Sequence, residues 1–322
     1  MTTTKSSLPS AGPMGRSAGD ILVPLDGSSI AEQALPVAGT IAHRAGRMVH
    51  LASVLHRPMM VFVGDPEAPI PDPGLEAELR RQYSEYLKSS AEALETTHGV
   101  EVKYALLEGT AAQSLAEYAR LKRIGMIVMT THGHGGIQRL WLGSVADRLL
   151  RRVKAPVLLL RPLKGSFQTE FRRVLIALDG LCEGEKILEP GIELGSLSPD
   201  CRFFLIQVVE PPVSLITRLA MQPGQMRPHW RELQENSART YLDRVAGRMR
   251  ARGLQVDTRL VCEHGIGEQI LSLAGSIGAD LLVVGTHGAR GVERMLLGSV
   301  ADKVIRGSSA PVLVVPTRQE NE

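Results

Sequence analysis

Short runs of aliphatic and β-branched residues alternate along the chain with longer segments of helical periodicity. This alternation predicts parallel β-α-β units, in which each strand is followed by a helix that packs on the sheet. The pattern predicts five strands in each half of the chain. They cover 21–25, 48–55, 100–107, 126–130 and 157–160, and then 174–178, 203–209, 255–261, 281–285 and 312–315.

Two features of the helical segments give more specific expectations. The segment 75–94 has an apolar or aromatic residue at every fourth position, which predicts a stripe packed on the core: Leu75, Leu79, Tyr83 and Leu87. Pro36 and Pro190 fall at matching positions in the first helix of each half, where proline normally interrupts a helix. We therefore expect the same kink in both halves.

The two halves of the chain repeat one another. The segments 131–133, 142–147 and 155–158 read THG, LGSVAD and APVL, and they recur at 286–288, 297–302 and 310–313 with one common offset. Three blocks in one register indicate a duplication that spans nearly the whole chain. We therefore predict a disordered tail at 1–18, a first copy at 19–162, a linker at 163–171 and a second copy at 172–317.

The composition limits the classes of function. There are 37 Lys and Arg residues against 34 Asp and Glu residues, and the resulting net charge of +3 argues against a nucleic-acid partner. The three cysteines, Cys182, Cys201 and Cys262, have no spacing typical of a zinc site. No apolar run reaches the roughly 20 residues of a membrane helix, and the first residues lack the apolar core of a signal peptide. We expect a cytoplasmic protein without membrane contact.

A glycine motif follows the fourth predicted strand of the second copy. Gly285 and Gly288 are followed by nine residues and then by Gly298 and Ser299, which gives the spacing Gly-x2-Gly-x9-Gly-Ser. Glycines at the carboxyl end of a strand allow a ligand to approach the backbone closely. The helix that begins at Gly298 and Ser299 offers free N–H groups and the positive end of its dipole to a phosphate.

A second interpretation of the motif is structural. Ser299 and Ser144 are then only helix N-caps, and Asp302 and Asp147, each three residues further on, complete a variant of the capping box. The two interpretations are compatible, and the sequence leaves both open.

The motif and the repeat resemble the universal stress protein family, whose nucleotide-binding members carry this spacing. The resemblance covers roughly 19–162 and 172–316. It implies that each copy is a five-stranded parallel sheet, doubly wound and Rossmann-like, with helices on both faces. It also implies that the copies pair through their last strands, 157–160 and 312–315, about a pseudo-two-fold axis. Whether two chains also form a homodimer stays open.

The resemblance further implies an adenine nucleotide as the ligand, ATP with Mg²⁺. It implies that Asp179 and Asp26 meet the ribose or a phosphate-bound metal ion, and that the backbone near Val208 and Val54 contacts adenine. The remaining candidate binding residues belong to the two glycine loops: Gly285, His287, Gly288, Gly298 and Ser299 in the second copy, and Thr130, Gly133, Gly143 and Ser144 in the first.

The two copies depart from the family pattern in different ways. Thr130 stands in the first copy where the second has Gly285, so a side chain is expected where the backbone meets phosphate. In the second copy Leu181 and Cys182 replace the small polar residues that follow Asp26 and Gly27 in the first. The complete glycine loop makes the second copy the expected nucleotide site.

Several enzyme classes lack their signatures in this chain. There is no Walker-type Gly-x4-Gly-Lys, no Gly-x-Gly-x-x-Gly after a first strand and no Gly-x-Ser-x-Gly elbow. We therefore expect no catalytic residue. Three hypotheses remain: a nucleotide-gated regulator in which ATP orders the connections 57–73 and 210–228, a ligand-free or apolar-ligand scaffold of the same fold, and a weak ATPase.

Overall fold

The elements of the first copy follow the predicted alternation. The computed structural model describes residues 19–55, 60–61, 70–71, 73–131, 142–162, 167–211, 227–286 and 297–317. In order, the first copy contains β1 (Ile21–Pro24), α1 (Ser29–Glu32), α2 (Ala34–Ala45), β2 (Val49–Leu55), β3 (Met60–Val61), β4 (Ile70–Pro71), α3 (Pro73–His98), β5 (Val102–Glu108), α4 (Ala111–Leu121), β6 (Met126–Thr130), α5 (Ser144–Leu150) and β7 (Val157–Leu160).

The second copy repeats this order. It contains β8 (Arg173–Leu178), a 3₁₀ helix (Glu183–Ile187), α6 (Leu188–Ser196), β9 (Arg202–Val208), α7 (Arg227–Arg250), β10 (Gln255–Val261), α8 (Ile266–Ile277), β11 (Leu281–Gly285), α9 (Ser299–Gly307) and β12 (Val312–Val315). The ten strands predicted from the apolar runs are present, with ends shifted by two residues at most. The small antiparallel pair of β3 and β4, inside the connection 57–73, is an addition.

One ten-stranded sheet runs through both copies, in the order β10-β9-β8-β11-β12-β7-β6-β1-β2-β5. The strands of each copy pair in parallel, and counted from its own first strand each copy has the order 3-2-1-4-5. This is the doubly wound arrangement, which confirms the predicted fold class. Alternate residues of each strand enter two apolar clusters, one on each face, so that helices cover the sheet on both sides.

The two copies meet at their last strands. Strand β7 pairs antiparallel with β12, with Leu158 opposite Leu313 at the centre of the register. All four residues of each strand are buried. The pairing predicted for these strands is therefore present, and it removes two aliphatic sheet edges from solvent.

Polar contacts add to this junction on one face of the sheet. Arg44, in the last turn of α2, donates to the carbonyl oxygen of Leu197 at 3.1 Å and pairs with Glu170 at 2.7 Å. The neighbouring Arg47, whose side chain is only 6% exposed, forms an ion pair with Glu193 of α6. The junction therefore contains a buried cation of the first copy that depends on a carboxylate of the second.

The predicted apolar stripe of α3 is only partly correct. Leu87 is fully buried and packs in the core with Ala91 and Leu94, whereas Leu75 is 40% exposed. A 26-residue helix is about 39 Å long, and the seven-residue strands beneath it span only about 23 Å. The first turns of α3 therefore extend past the sheet, and core contact begins further along the helix than the spacing suggested.

The predicted kink occurs in both copies as a break just before the proline. In the first copy α1 and α2 are separated at Gln33, and Pro36 is the third residue of α2. In the second copy a 3₁₀ helix precedes α6, and Pro190 is the third residue of α6. The first turn of a helix tolerates proline because its N–H groups have no intrahelical acceptor.

Some predicted segments lie outside the described residues, among them the tail 1–18 and most of the connections 57–73 and 210–228. Within the described ranges, no helix combines the length and the apolar character that crossing a bilayer requires.

Candidate functional site

A cleft of about 1240 Å³ opens at the carboxyl edge of the sheet in the second copy. It lies over the ends of β8, β9 and β11, which are neighbours in the sheet. Ligands of doubly wound folds bind where the strand order reverses, and here that point is between β8 and β11. The cleft is lined by five of the residues predicted to bind nucleotide: Asp179, Val208, Gly285, Gly298 and Ser299.

Asp179 stands at the central strand end of the cleft, directly after β8. Its Oδ1 accepts the N–H of Leu181 at 2.9 Å, which closes a tight turn over Gly180. Tyr241 of α7 donates its hydroxyl to the Leu181 carbonyl oxygen at 3.4 Å and so attaches the turn to the helix. Burial raises the pKa of Tyr241, and the nearby charge of Glu185 raises it further, so the hydroxyl keeps its proton.

The equivalent Asp26 in the first copy has more internal partners. Its Oδ1 accepts both the N–H of Ser28 at 3.0 Å and the Ser28 hydroxyl at 2.5 Å. The same hydroxyl caps α1 by accepting the N–H of Ala31 at 3.1 Å. Because Leu181 replaces this serine in the second copy, Asp179 has fewer hydrogen-bond donors than Asp26 among the described residues.

The start of α9 forms the wall of the cleft nearest β11. Gly298 is the N-cap, with φ −59° and ψ 146°, and Ser299 is already the first helical residue. No side-chain hydrogen bond caps this end, and Asp302 pairs with Arg306 instead of completing a capping box. The interpretation of Ser299 as a cap is therefore wrong, because glycine occupies the non-helical position that a capping side chain needs.

Ser299 consequently presents an exposed hydroxyl at the first turn, and no hydrogen bond joins that hydroxyl to the described parts of the chain. The amide of Gly298 is already engaged, since it donates to the Thr286 carbonyl oxygen at 2.8 Å. The first intrahelical bond runs from the Asp302 N–H to Gly298. The amides of Ser299, Val300 and Ala301 are thus the orphan donors of the helix start.

The first copy has the same local geometry. Gly143 caps α5, Ser144 is its first helical residue, and the Gly143 amide donates to Thr131 at 2.7 Å. The capping interpretation of Ser144 therefore fails for the same reason, and Asp147 pairs with Arg151. The α5 helix has seven residues, against nine in α9.

Gly285 and Thr130 end their strands in extended conformation, with pairing partners in β12 and β7. A positive φ is therefore not what glycine provides at 285. The Thr130 side chain is 5% exposed and packed at the end of β6. His287, Gly288 and Gly133, the other predicted loop residues, lie outside the described residues.

Val208 ends β9 at the outer side of the cleft. The ladder between β8 and β9 stops at Leu178 opposite Gln207, so Val208 lies one residue beyond it. In the first copy the ladder of β1 and β2 stops at Ala52, and Val54 lies two residues beyond it. Both side chains are partly buried against the cluster that contains α9 and α5.

Comparison with known proteins agrees with this architecture. The sequence profile of the Universal stress protein family matches residues 18–161 and 170–316, which is most of the chain. The chain belongs to the universal stress protein family. A universal stress protein of Mycolicibacterium smegmatis is 27% identical over 311 residues, 92% of this chain and 97% of that protein. One from Methanocaldococcus jannaschii is 31% identical over 147 residues, 45% of this chain and 82% of that protein.

A solved structure has the same overall fold. The universal stress protein from Archaeoglobus fulgidus superimposes with a TM-score of 0.66 at 21% identity, covering 94% of this chain and 97% of that one. The match extends over both copies, which supports the tandem arrangement of this universal stress protein.

The cleft of this universal stress protein also receives residues from the first copy. Asp147 and Arg151 of α5 line it together with Asp302 and Arg306 of α9. The hydrogen bond from Asp302 raises the pKa of Arg306, and Asp147 is close enough to raise it further. The second site is therefore bounded by a helix of the other copy, which the sequence analysis did not foresee.

Among the described residues that line the cleft, negative charges outnumber positive charges. Among the described lining residues there are five carboxylates and three cationic side chains: Asp147, Asp179, Glu210, Glu268 and Asp302 against Arg151, Lys303 and Arg306. Lys303 pairs with Glu268. Arg151 and Arg306 each form an ion pair with the aspartate one helical turn earlier, Asp147 and Asp302.

The described residues contain no group of three or more His, Cys, Asp or Glu side chains that could hold a metal ion. A divalent cation would therefore take most of its ligands from phosphate oxygens and water, as Mg²⁺ commonly does. Asp179 is the carboxylate that fits best, because it stands beside the strand end at the centre of the cleft.

Proposed function

We propose that this universal stress protein binds ATP with a divalent cation in the second-copy cleft and acts in the cytoplasm as a nucleotide-gated regulator, not as an enzyme. The order of three groups along the sheet edge carries the proposal. Val208 ends β9, Asp179 directly follows β8, and Ser299 begins α9 after the connection from β11. Strands β9, β8 and β11 are neighbours in the sheet, about 4.8 Å apart. A nucleotide laid across these strand ends meets them in the order base, ribose, phosphate.

The phosphate end is supported by the start of α9. An exposed hydroxyl and three orphan amides point out of a helix terminus that carries partial positive charge. Magnesium bound with the nucleotide would offset phosphate charge next to five carboxylates. Asp179 would orient the ribose or share the cation, and the backbone beyond the β8–β9 ladder at Val208 would accept the base.

Gating is supported by the wall that the two copies share. Phosphates at α9 would lie near Arg306, which Asp147 of the first copy also influences. A change in how these charges pair would change the contacts of α5, since Arg151 and Asp147 line the same cleft. Nucleotide occupancy of the second copy would in this way alter the surface of the first.

The test uses Ser299→Ala with Ser144→Ala as the matched control in the first copy. Binding of ATP and AMP with Mg²⁺ is titrated by calorimetry, and the unfolding midpoint is recorded. A hydroxyl bonded to a charged phosphate contributes about 1.5–3 kcal/mol, which is roughly 10- to 150-fold in affinity. We expect Ser299→Ala to lower the affinity for ATP by this factor and to change the affinity for AMP little. The unfolding midpoint should not change, because Ser299 does not cap the helix.

Three results would contradict the proposal. Absence of ATP binding to the unaltered chain would refute nucleotide binding itself. An equal loss for ATP and AMP, or an equal effect of Ser144→Ala, would refute the phosphate site at α9. If the protein forms ADP from ATP over time, and Ser299→Ala lowers that rate, the site is enzymatic and the gating role is wrong.

A further inference from the structure

Five exposed cations gather at the amino edge of the sheet in the first copy. Helices α4 and α5 pack against one another on one face of the sheet. The turns that follow them lead into β6 and β7, which pair in parallel with Ile127 opposite Val157, so the two helix ends lie side by side. The exposed side chains at these ends are the basic corner of the molecule: Arg120, Lys122, Arg123, Arg148 and Arg152.

The basic corner has no carboxylate of its own. None of the five side chains forms an ion pair within the described residues, and the Arg152 guanidinium donates instead to the Arg148 carbonyl oxygen at 3.2 Å. Glu117, one turn earlier on α4, pairs with none of them. Exposed arginines elsewhere do have partners, since Arg81 and Arg252 each pair with a glutamate. Like charges close together repel one another, so the fold itself gains nothing from this cluster.

The equivalent corner of the second copy is not basic. In the register of the repeat, the five positions are occupied there by Gly275, Ile277, Gly278, Lys303 and Gly307. Lys303 is the one charged residue among them, and it pairs with Glu268. The same fold is thus built without the cluster, which is a property of the first copy.

Arg123 carries a side chain where the backbone favours glycine. Its φ is +52°, in the left-handed region, and Gly278 has φ +59° at the same place in the second copy. A residue with a Cβ atom is strained in this conformation, whereas glycine is not. The arginine therefore costs the fold some stability, which favours a role for its side chain outside the fold.

The place of the basic corner in the sheet selects among anionic partners. Because β7 and β12 are antiparallel, the amino edge of the first copy and the carboxyl edge of the second lie on the same side of the sheet. The second-copy cleft opens on that side, with five carboxylates among its described lining residues. A membrane surface or a nucleic-acid duplex laid along this side would meet those carboxylates too, whereas a short peptide segment contacts the corner alone.

We propose that the basic corner binds an acidic segment of a partner protein, in which carboxylates flank an apolar residue. Leu121 lies between Arg120 and Lys122 in the chain and is 62% exposed, more than any other large hydrophobic side chain of the described residues. Four of the five cations are arginines, whose planar guanidinium groups bind carboxylates through two parallel hydrogen bonds. An apolar contact surrounded by charge pairs is the usual composition of a protein interface. The inference does not depend on the proposed nucleotide binding.

The experiment titrates a fluorescent peptide of glutamate and leucine with the full chain, without nucleotide, and follows the anisotropy. A peptide of glutamine and leucine is the uncharged counterpart. Arg148→Glu should weaken binding of the acidic peptide roughly tenfold or more, because an attraction becomes a repulsion. The matched control is Arg239→Glu, which reverses an exposed arginine of α7 over the opposite face of the sheet and should leave binding unchanged.

Arg123→Gly separates binding from folding. It should weaken peptide binding about two- to fivefold, the effect of one exposed ion pair, and raise the unfolding midpoint because the left-handed backbone is no longer strained. A lowered midpoint would show that the arginine serves the fold. Equal affinity for the two peptides, or an equal loss in Arg148→Glu and Arg239→Glu, would overturn the proposal. Phosphatidylserine vesicles or a single-stranded oligonucleotide that bind more tightly than the peptide, and less tightly to Arg148→Glu, would overturn the assignment to a protein partner.

Discussion

The buried ion pair between Arg47 and Glu193 gives a prediction about the junction of the copies. Glu193→Gln removes the partner of a guanidinium whose side chain is 6% exposed. Burial lowers the pKa of Arg47, and the negative charge of Asp20 opposes this shift. Breaking a fully buried pair costs about 3–5 kcal/mol. Because Glu193 is 35% exposed, we expect about 1–2 kcal/mol here.

Replacing the other member of the pair should destabilise the protein less. Arg47→Met removes the buried charge and keeps most of the apolar stem, a change that is often neutral. A third variant provides the control, because Glu189 lies on the same helix and pairs with Arg252 while being 71% exposed. Exposed pairs contribute little, so Glu189→Gln should leave stability unchanged.

The assay is thermal and chemical unfolding of the three variants at low salt. For a domain of 150–250 residues 1 kcal/mol corresponds to about 2–4 °C, so Glu193→Gln should lower the midpoint by a few degrees. The order of destabilisation should be Glu193→Gln, then Arg47→Met, then Glu189→Gln. If Arg47→Met is the most destabilising variant, or if Glu193→Gln behaves like Glu189→Gln, the buried charge does not contribute as argued.

Two further predictions concern the cleft. Gly285→Thr should weaken ATP binding, since the added atoms cost about 1–3 kcal/mol where the ligand approaches the backbone. Thr130→Gly should strengthen ATP binding in the first copy. If calorimetry finds the ATP affinity of Gly285→Thr unchanged, residue 285 does not approach a ligand. Removal of Mg²⁺ with EDTA should weaken ATP far more than AMP, because the carboxylates of the cleft repel the uncompensated triphosphate. An equal affinity with and without Mg²⁺ would contradict that account.

The fold was predictable because several sequence signals agree. The apolar runs mark strands buried on both faces, and the repeated LGSVAD and APVL blocks identify equivalent elements of the two copies. The pairing of β7 with β12 was also predictable, since an exposed aliphatic edge needs a partner. The exposed start of α3 was not, because periodicity does not reveal how far a helix extends beyond its sheet.

The site was predictable in position but not in detail. The motif places Ser299 within one residue of a helix start, but the sequence does not show which residue adopts the non-helical dihedral angles. Gly298 takes that position, and Ser299 is thereby released from capping. Gln207 carried a signal that was missed, a polar residue in the apolar strand RFFLIQV. Its buried Oε1 has no partner among the described residues, which no local pattern shows.

The antiparallel joint between β7 and β12 also determines how the two sites can change. In an assembly of two identical chains every substitution appears twice, and association depends on protein concentration. When both partners belong to one chain, association is intramolecular and persists at any dilution. A residue such as Leu181 can then differ from Ser28 without altering the other half, so one copy can specialise in its ligand while the other keeps the surface that supports it.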